Sequence, residues 1–377
     1  MATLTQDPTY EFHPYKSLDD ATLTERIEAV RAELGSELMI LGHYYQQYEV
    51  VALSDLRGDS YELSKMAASS DCRTIVCCGG QFMAETADIL ANRPEKLEER
   101  LGVRVNVVLP DLAAGCSMAD MAGIEQVEAA WEDLGEIIDM EDVTPVTYIN
   151  SAASLKAFCG RHGGIVCTSS NAAAVLKWAF QRTRRVLFFP DQHLGRNTAL
   201  TMDIGNDQMP VWDPHDDDFG GNTTEALQRS RVILWKGHCS VHQMFQPDHV
   251  HKLREKIPGI QILVHPECPQ EVNDLADLSG STGFIIKTVK AAAPGSKWAI
   301  GTELHLVNRL KAEHPEQEVH FLSPVVCMCA TMYRINLAHL CWSLENLAAG
   351  TPVNVIEVDE ETTKWSLVAL ERMLQIK

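Results

Sequence analysis

Short apolar runs recur along this chain, separated by helical patterns and by turns of small polar residues, and they come in the same order three times. The first copy opens with a predicted strand, Leu38–Leu41, that runs into Gly42-His43-Tyr44-Tyr45. The turn Gly58-Asp59-Ser60 then starts a helical pattern over Tyr61–Ala68. Predicted strands Arg73–Cys77 and Val103–Leu109 follow, the second leading through Pro110-Asp111 to Gly115-Cys116. In the second copy, strand Val146–Ile149 ends at Asn150 and the turn is Thr168-Ser169-Ser170-Asn171. Strand Val186–Phe189 leads to Pro190-Asp191, and Val232–Trp235 to Gly237-His238-Cys239. The third copy has Ile262–Val264 before His265-Pro266-Glu267, the turn Gly280-Ser281-Thr282, Trp298–Ile300 before Gly301-Thr302-Glu303, and His320–Leu322 running on to Cys327 and Cys329. Leu18–Leu34 and Glu360–Ile376 read as amphipathic helices flanking the repeats. Residues 1–16 read as a loose arm, and 196–228 as an insertion or lid in the second copy.

Strands alternating with helical patterns predict β-α-β units and parallel sheets, whose ligand sites lie beyond the carboxyl ends of the strands. The expected fold is therefore α/β, with three similar Rossmann-like domains related by pseudo-threefold symmetry around a central site. The expected division is an N-terminal arm and helix over 1–35, repeats over 36–130, 131–252 and 253–345, and a C-terminal segment and helix over 346–377. The first strand of each copy ends in His43, Asn150 or His265, the following turn offers hydroxyls and N–H groups at a helix start, and the last strand leads to a cysteine. Helix starts favour anions.

Composition narrows what such a site can do. Of 377 residues, 45% are hydrophobic and 22% charged, which fits a globular chain. The formal charge is −20, which disfavours a nucleic-acid partner. No apolar run approaches the ~20 residues that a membrane span needs, and the N-terminal stretch lacks the pattern of a secretory signal. A cytoplasmic location is expected. Eleven cysteines in such a chain call for an explanation other than disulfides. Metal ligation, nucleophilic catalysis and plain burial remain open. Cys116, Cys239 and Cys329 lie far apart in sequence, unlike the close pairs of a zinc finger. Three distant thiolates suit an iron–sulfur cluster with one iron left open, although buried core thiols account for cysteines as commonly. Cys72, Cys77, Cys78, Cys159, Cys167, Cys268 and Cys341 fall in apolar patterns and read as core thiols.

Longer stretches carry a resemblance. His43-Tyr44-Tyr45-Gln46, Gly58-Asp59-Ser60, Phe82-Met83-Ala84-Glu85-Thr86, Pro110-Asp111 through Gly115-Cys116-Ser117, Tyr148-x-Asn150, Cys167-Thr168-Ser169-Ser170-Asn171-Ala172, Gly237-x-Cys239-x-Val241-His242, His265-Pro266-Glu267-Cys268, Gly280-Ser281-Thr282, Gly301-Thr302-Glu303 and Cys329-x-x-Met332 together resemble the quinolinate synthase (quinolinate synthetase A) family, in the family's order, over about residues 38–345. The resemblance implies a three-domain α/β enzyme carrying one 4Fe-4S cluster per chain on three cysteines, Cys116, Cys239 and Cys329. It implies condensation of iminoaspartate with dihydroxyacetone phosphate to quinolinate, phosphate and water in de novo NAD biosynthesis, the open iron serving as Lewis acid. It places His43, Ser60, Tyr148, Asn150, Ser169, His265, Glu267, Ser281 and Thr282 at the substrate, with Glu267, His242, His43 and Tyr45 as catalytic candidates. L-aspartate oxidase, which would supply iminoaspartate, is an expected partner; nucleic acid and membrane are not. The nearest rival readings are a different iron–sulfur hydro-lyase and a non-catalytic redox sensor, neither of which needs a pocket for a triose phosphate. Without the family motif, Ser60, Ser169 and Ser281 read as ordinary helix caps.

Overall fold

The apolar runs become strands covered on both faces, as parallel strands flanked by helices require. The computed structural model describes residues 8–216, 218–326 and 328–376. Strands β1 (Leu38–His43), β2 (Leu56–Gly58), β3 (Thr74–Cys78) and β4 (Asn106–Val108) form one sheet. A second contains β5 (Val143–Tyr148), β6 (Ile165–Cys167), β7 (Arg185–Phe189), β8 (Val211–Trp212) and β9 (Val232–Trp235). A third contains β10 (Gln261–Val264), β11 (Leu278–Ser279), β12 (Lys297–Gly301) and β13 (Glu318–Phe321), while β14 (Val355–Ile356) joins the first sheet. The spatial orders are β2-β1-β3-β4, β6-β5-β7-β9 and β11-β10-β12-β13, one plan used three times. Pairing is parallel throughout except where β14 runs antiparallel to β4. The chain is thus α/β with three mainly parallel sheets, as its strand pattern predicts.

The chain forms two compact units. One takes the described part of Met1–Cys116 with Cys329–Thr363 and holds the first sheet; the other takes the described part of Ser117–Met328 with Lys364–Lys377 and holds the other two sheets. A local device recurs in both. Asp55 accepts the Ile40 N–H through Oδ2 at 2.7 Å and donates its own N–H to Ile40 O at 2.9 Å; Asp277 does the same to Ile262 at 2.7 and 2.9 Å. Each aspartate also holds an arginine, Arg31 at 2.5 Å and Arg254 at 3.0 Å. The spacing of 15 residues is the same in both, so the carboxylate closes the edge of β1 and of β10 by one geometry.

Two expectations change. Residues 8–16 are anchored rather than loose: Tyr15 is buried and its hydroxyl donates to Glu345, which also takes the Arg26 Nε–H at 2.6 Å, and the Tyr10 carbonyl accepts from Trp342 Nε1 at 2.7 Å. Of the two readings of 196–228 the insertion holds and the lid does not: it adds β8, which has no counterpart in the shared strand order, as the outer strand of the second sheet beside β9, and Trp212 is buried. Near the end of the chain two helices, Ala330–Arg334 and Leu337–Ala348, are separated because Asn336 turns out of the helix and caps the second piece by accepting the His339 N–H at 3.1 Å. Asp216 and Asp218 are exposed, as a solvated loop should be. Among the described residues, no helix is long and apolar enough to cross a membrane.

Candidate functional site

In both units the polar residues follow the carboxyl ends of the strands, where parallel sheets place ligands. In the first unit His43 closes β1 and is buried. Its Nδ1 accepts the Tyr45 N–H at 3.1 Å, and the Tyr45 ring stands edge-on to it at 4.8 Å between centroids. In the third sheet His265 follows β10 and its Nδ1 accepts the Glu267 N–H at 3.3 Å. Both imidazoles are therefore fixed with Nδ1 as acceptor, which leaves Nε2 to carry the proton. Asn150, half-buried, stands at the corresponding place after β5.

The turns divide the capping work in a way the sequence did not show. Asp59, not Ser60, caps helix Ser60–Ser69, accepting from Tyr61 N and Glu62 N in a capping box. Ser60 is the first helical residue and is buried. In the second sheet Asn171 precedes helix Ala172–Phe180 and its Oδ1 accepts the Thr168 N–H at 2.7 Å, while Ser169 lies half-buried in the turn. Ser281 does cap its helix, accepting from Phe284 N at 3.3 Å, and Thr282 is the buried first residue, matching Ser60. Capping thus explains Ser281 and leaves Ser60, Ser169 and Thr282 in need of another account.

The densest chemistry lies in the second unit. Glu267 is 3% exposed; its Oε2 lies 2.7 Å from His242 Nδ1 and 3.9 Å from His265 Nδ1. The two imidazoles stack at 4.6 Å with 21° between their planes. Burial by itself would raise the Glu267 carboxyl. The neighbouring His265 and His242 rings, with hydrogen bonds from His242 and from the Tyr148 hydroxyl, outweigh it and hold the group well below the usual carboxylate range. On its other side His242 Nε2 meets Thr302 Oγ1 at 3.2 Å. Glu267, His242 and Thr302 thus form a buried line of hydrogen-bonding groups, and Tyr148, the last residue of β5, adds a phenol to its carboxylate end.

Asp191, which follows β7, is fully buried. Burial first, and the Glu267 charge second, push its carboxyl well above the ordinary range, against the N–H groups it accepts. The two carboxyl groups are thereby shifted in opposite directions, Glu267 down and Asp191 up. Oδ1 takes the Leu194 N–H at 2.7 Å and Oδ2 the Cys239 N–H at 3.2 Å. The Cys239 loop also rests on the strand end before it. Gln192 N–H donates to Gly237 O at 2.9 Å, and a Cβ at Gly237 would overlap the Pro190 carbonyl oxygen, so only glycine permits this approach.

The thiols fall into two groups. Cys72, Cys77, Cys78, Cys159, Cys167, Cys268 and Cys341 are buried, as expected of core cysteines. Burial pushes them all up, Cys78 and Cys341 to about 12. Among the described residues only Cys116, Cys239 and Cys329 are partly exposed. Metal ligation requires the thiolate, which burial in apolar surroundings opposes. That burial does not weigh on Cys116 and Cys329 in the first unit, or on Cys239 in the second, as it does on the core thiols. Cys327 lies outside the described residues. Cys239 Sγ, a His242 nitrogen and a Glu267 oxygen also lie within 4.8 Å of one another, a group able to hold a metal ion. The chain fits a metal or iron–sulfur cofactor.

Comparison with known proteins agrees. Residues 25–375 match the family model described as quinolinate synthetase A protein. A quinolinate synthase of Rhodopirellula baltica is 73% identical over 372 residues, covering 98% of this chain and 95% of its own. Those of a Nocardioides species and of Acidobacterium capsulatum are 54% and 52% identical, over 95% and 96% of this chain and 90% and 95% of theirs. This chain belongs to the quinolinate synthetase A family.

Proposed function

We propose that this enzyme condenses iminoaspartate with dihydroxyacetone phosphate to quinolinate, phosphate and water, in NAD biosynthesis. The observation that carries the reading is the Glu267 carboxylate, buried yet held ionised between two imidazoles and a phenol. Closing a pyridine ring on these substrates needs phosphate loss, carbonyl–amine condensation and removal of water, and each step moves protons. Glu267 is the base. His242, locked between Glu267 and Thr302, is its relay, and Tyr148 with Tyr45 and His43 are hydroxyl and N–H donors at the reacting oxygens.

The substrates bring two carboxylates and a phosphate into a protein of net charge −20, so local donors must hold them. Ser60, Ser169, Ser281, Thr282, Asn150 and the Nε2–H groups of His43 and His265 fill that role in this reading, from helix starts and strand ends. Cys116, Cys239 and Cys329 are the ligands of one 4Fe-4S cluster per chain; what supports this is their sequence motifs and their partial exposure among buried thiols. When bound, a cluster iron with an open position polarises a hydroxyl or carboxylate oxygen. The repeat boundaries 36–130, 131–252 and 253–345 belong to the same proposal, supported by the strand order that recurs in each sheet. L-aspartate oxidase is the proposed supplier of iminoaspartate and the cytoplasm the proposed location.

Phosphate release tests the reading. Protein reconstituted with iron and sulfide without oxygen is expected to free phosphate from dihydroxyacetone phosphate only when iminoaspartate is present; release that ignores iminoaspartate would make this a phosphatase or lyase instead. Ser169→Ala and Thr282→Ala are expected to weaken substrate binding by about 1.5–3 kcal/mol each, the worth of a hydrogen bond to a charged group, with iron content intact. Unchanged KM and kcat in both variants would return these residues to a structural role.

A further inference from the structure

The helix Gln192–Leu200 touches both loops that carry the Glu267–His242 pair. At its start Asp191 accepts the Cys239 N–H, and two residues on His193 Nε2 meets Gln243 Oε1 at 2.6 Å, so the segment 239–243 is tied to it on either side of His242. Four residues later, on the same face, Asn197 reaches the other loop. Its Nδ2 donates one hydrogen to Pro266 O and the other to Cys268 O, both at 2.8 Å. Those carbonyls flank Glu267 in the chain. Between them the Cys268 N–H donates to His265 O at 3.0 Å, and the Glu267 N–H to His265 Nδ1. Each peptide plane around Glu267 is therefore fixed, the Pro266 carbonyl by Asn197 and the Cys268 carbonyl by Asn197 together with Asn273 Nδ2, also at 2.8 Å.

Asn197 has its amide oriented for this. It is 9% exposed, and the two carbonyl acceptors fix which way its amide faces, since an oxygen turned toward them would be repelled. Because the helix also holds the His242 loop, it sets the 2.7 Å separation of Glu267 and His242 from both sides.

We propose that Asn197 is a positioning residue, which holds the Glu267 carboxylate in register with His242 for proton transfer. This rests on Glu267 being the base of the proposed reaction. Displacement of a reacting group by even an ångström lowers rate steeply. Asn197→Ala is therefore expected to lower kcat about 10- to 100-fold, while KM for dihydroxyacetone phosphate changes less than about twofold and iron content and cluster absorbance stay at wild-type levels. A residue that acts only through Glu267 has nothing to act on once that carboxylate is gone. Adding Asn197→Ala to Glu267→Gln is thus expected to cause no further loss in product formed per cluster over a long single-turnover incubation. Should Asn197→Ala fail to fold, Asn197→Asp keeps the shape with at most one donor and takes its place in the same cycle.

Wild-type kcat in the Asn197 variant, or losses that multiply in the double variant, overturn this proposal and leave the reading of Glu267 standing. Near-wild-type turnover by Glu267→Gln alone overturns both.

Discussion

Glu267→Gln is expected to lower quinolinate formation by about 100-fold or more, the usual worth of a general base, in a protein that folds and carries its iron normally. Glutamine matches glutamate in shape and can still receive the Tyr148 hydroxyl on its oxygen. It cannot take a proton, and its NH2 group faces either Tyr148 or the His242 Nδ1 side at 2.7 Å. The loss should fall on kcat, because Glu267, itself an anion, is not one of the proposed anion-holding donors. The buried setting makes the substitution informative. At 3% exposure, Glu267 has little access to solvent that could replace its function. Product quantified by mass spectrometry against cluster content, in wild type and variant side by side, is the measurement. A variant with full cluster and near-normal turnover would remove proton transfer from Glu267 and leave it a structural hydrogen-bond partner of His242 and Tyr148.

The second large effect is expected at the thiols. Cys329→Ser should lose most cluster absorbance and all activity after anaerobic reconstitution, and Cys116→Ser and Cys239→Ser likewise. Serine is a much poorer ligand for iron than thiolate. Cys329 is the N-cap of Ala330–Arg334, where free N–H groups favour thiolate charge, and it is partly exposed, with Thr331 Oγ1 3.1 Å from its sulfur. Cys341, in the next helix, is buried with its thiol pushed up to about 12, so Cys341→Ser should keep the cluster. Cys327→Ser is expected to keep both cluster and activity. If Cys327→Ser is the variant that fails to hold iron, the ligand register of the third repeat is wrong by two residues and Met332 no longer marks it.

How much of this could be read from the chain depended on the length of each signal. Nine strands stood out because each is an apolar run. Strands β2, β6, β8, β11 and β14 did not, having two or three residues each, too few to display a period. The first, second and fourth of these places matter most, since β2, β6 and β11 lead directly into the turns that carry Ser60, Ser169 and Ser281. The break at Asn336 was visible in principle, because Asn is a favoured N-cap and stands there within a helical pattern. Asp55 and Asp277 gave no signal alone; their shared role follows from what they bond.

At the site the residues at strand ends were legible, because topology dictates where ligands bind and the motifs mark those ends. Their supports were not. Thr302 lies 60 residues from His242, Asn197 about 70 from the carbonyls it holds, and Asp191 48 from Cys239. A residue that acts on another through tertiary contact has no spacing to betray it. Capping was misassigned for a local reason. Ser60 and Asp59 are both good caps, and only the backbone at Asp59, extended while Ser60 is already helical, decides between them.

The most direct test is formation of quinolinate itself. Anaerobically reconstituted protein, supplied with iminoaspartate and dihydroxyacetone phosphate, should yield quinolinate and phosphate in equal amounts, and the protein without iron should yield neither. Iron-loaded, folded protein that makes no quinolinate from these two substrates would contradict the proposed reaction.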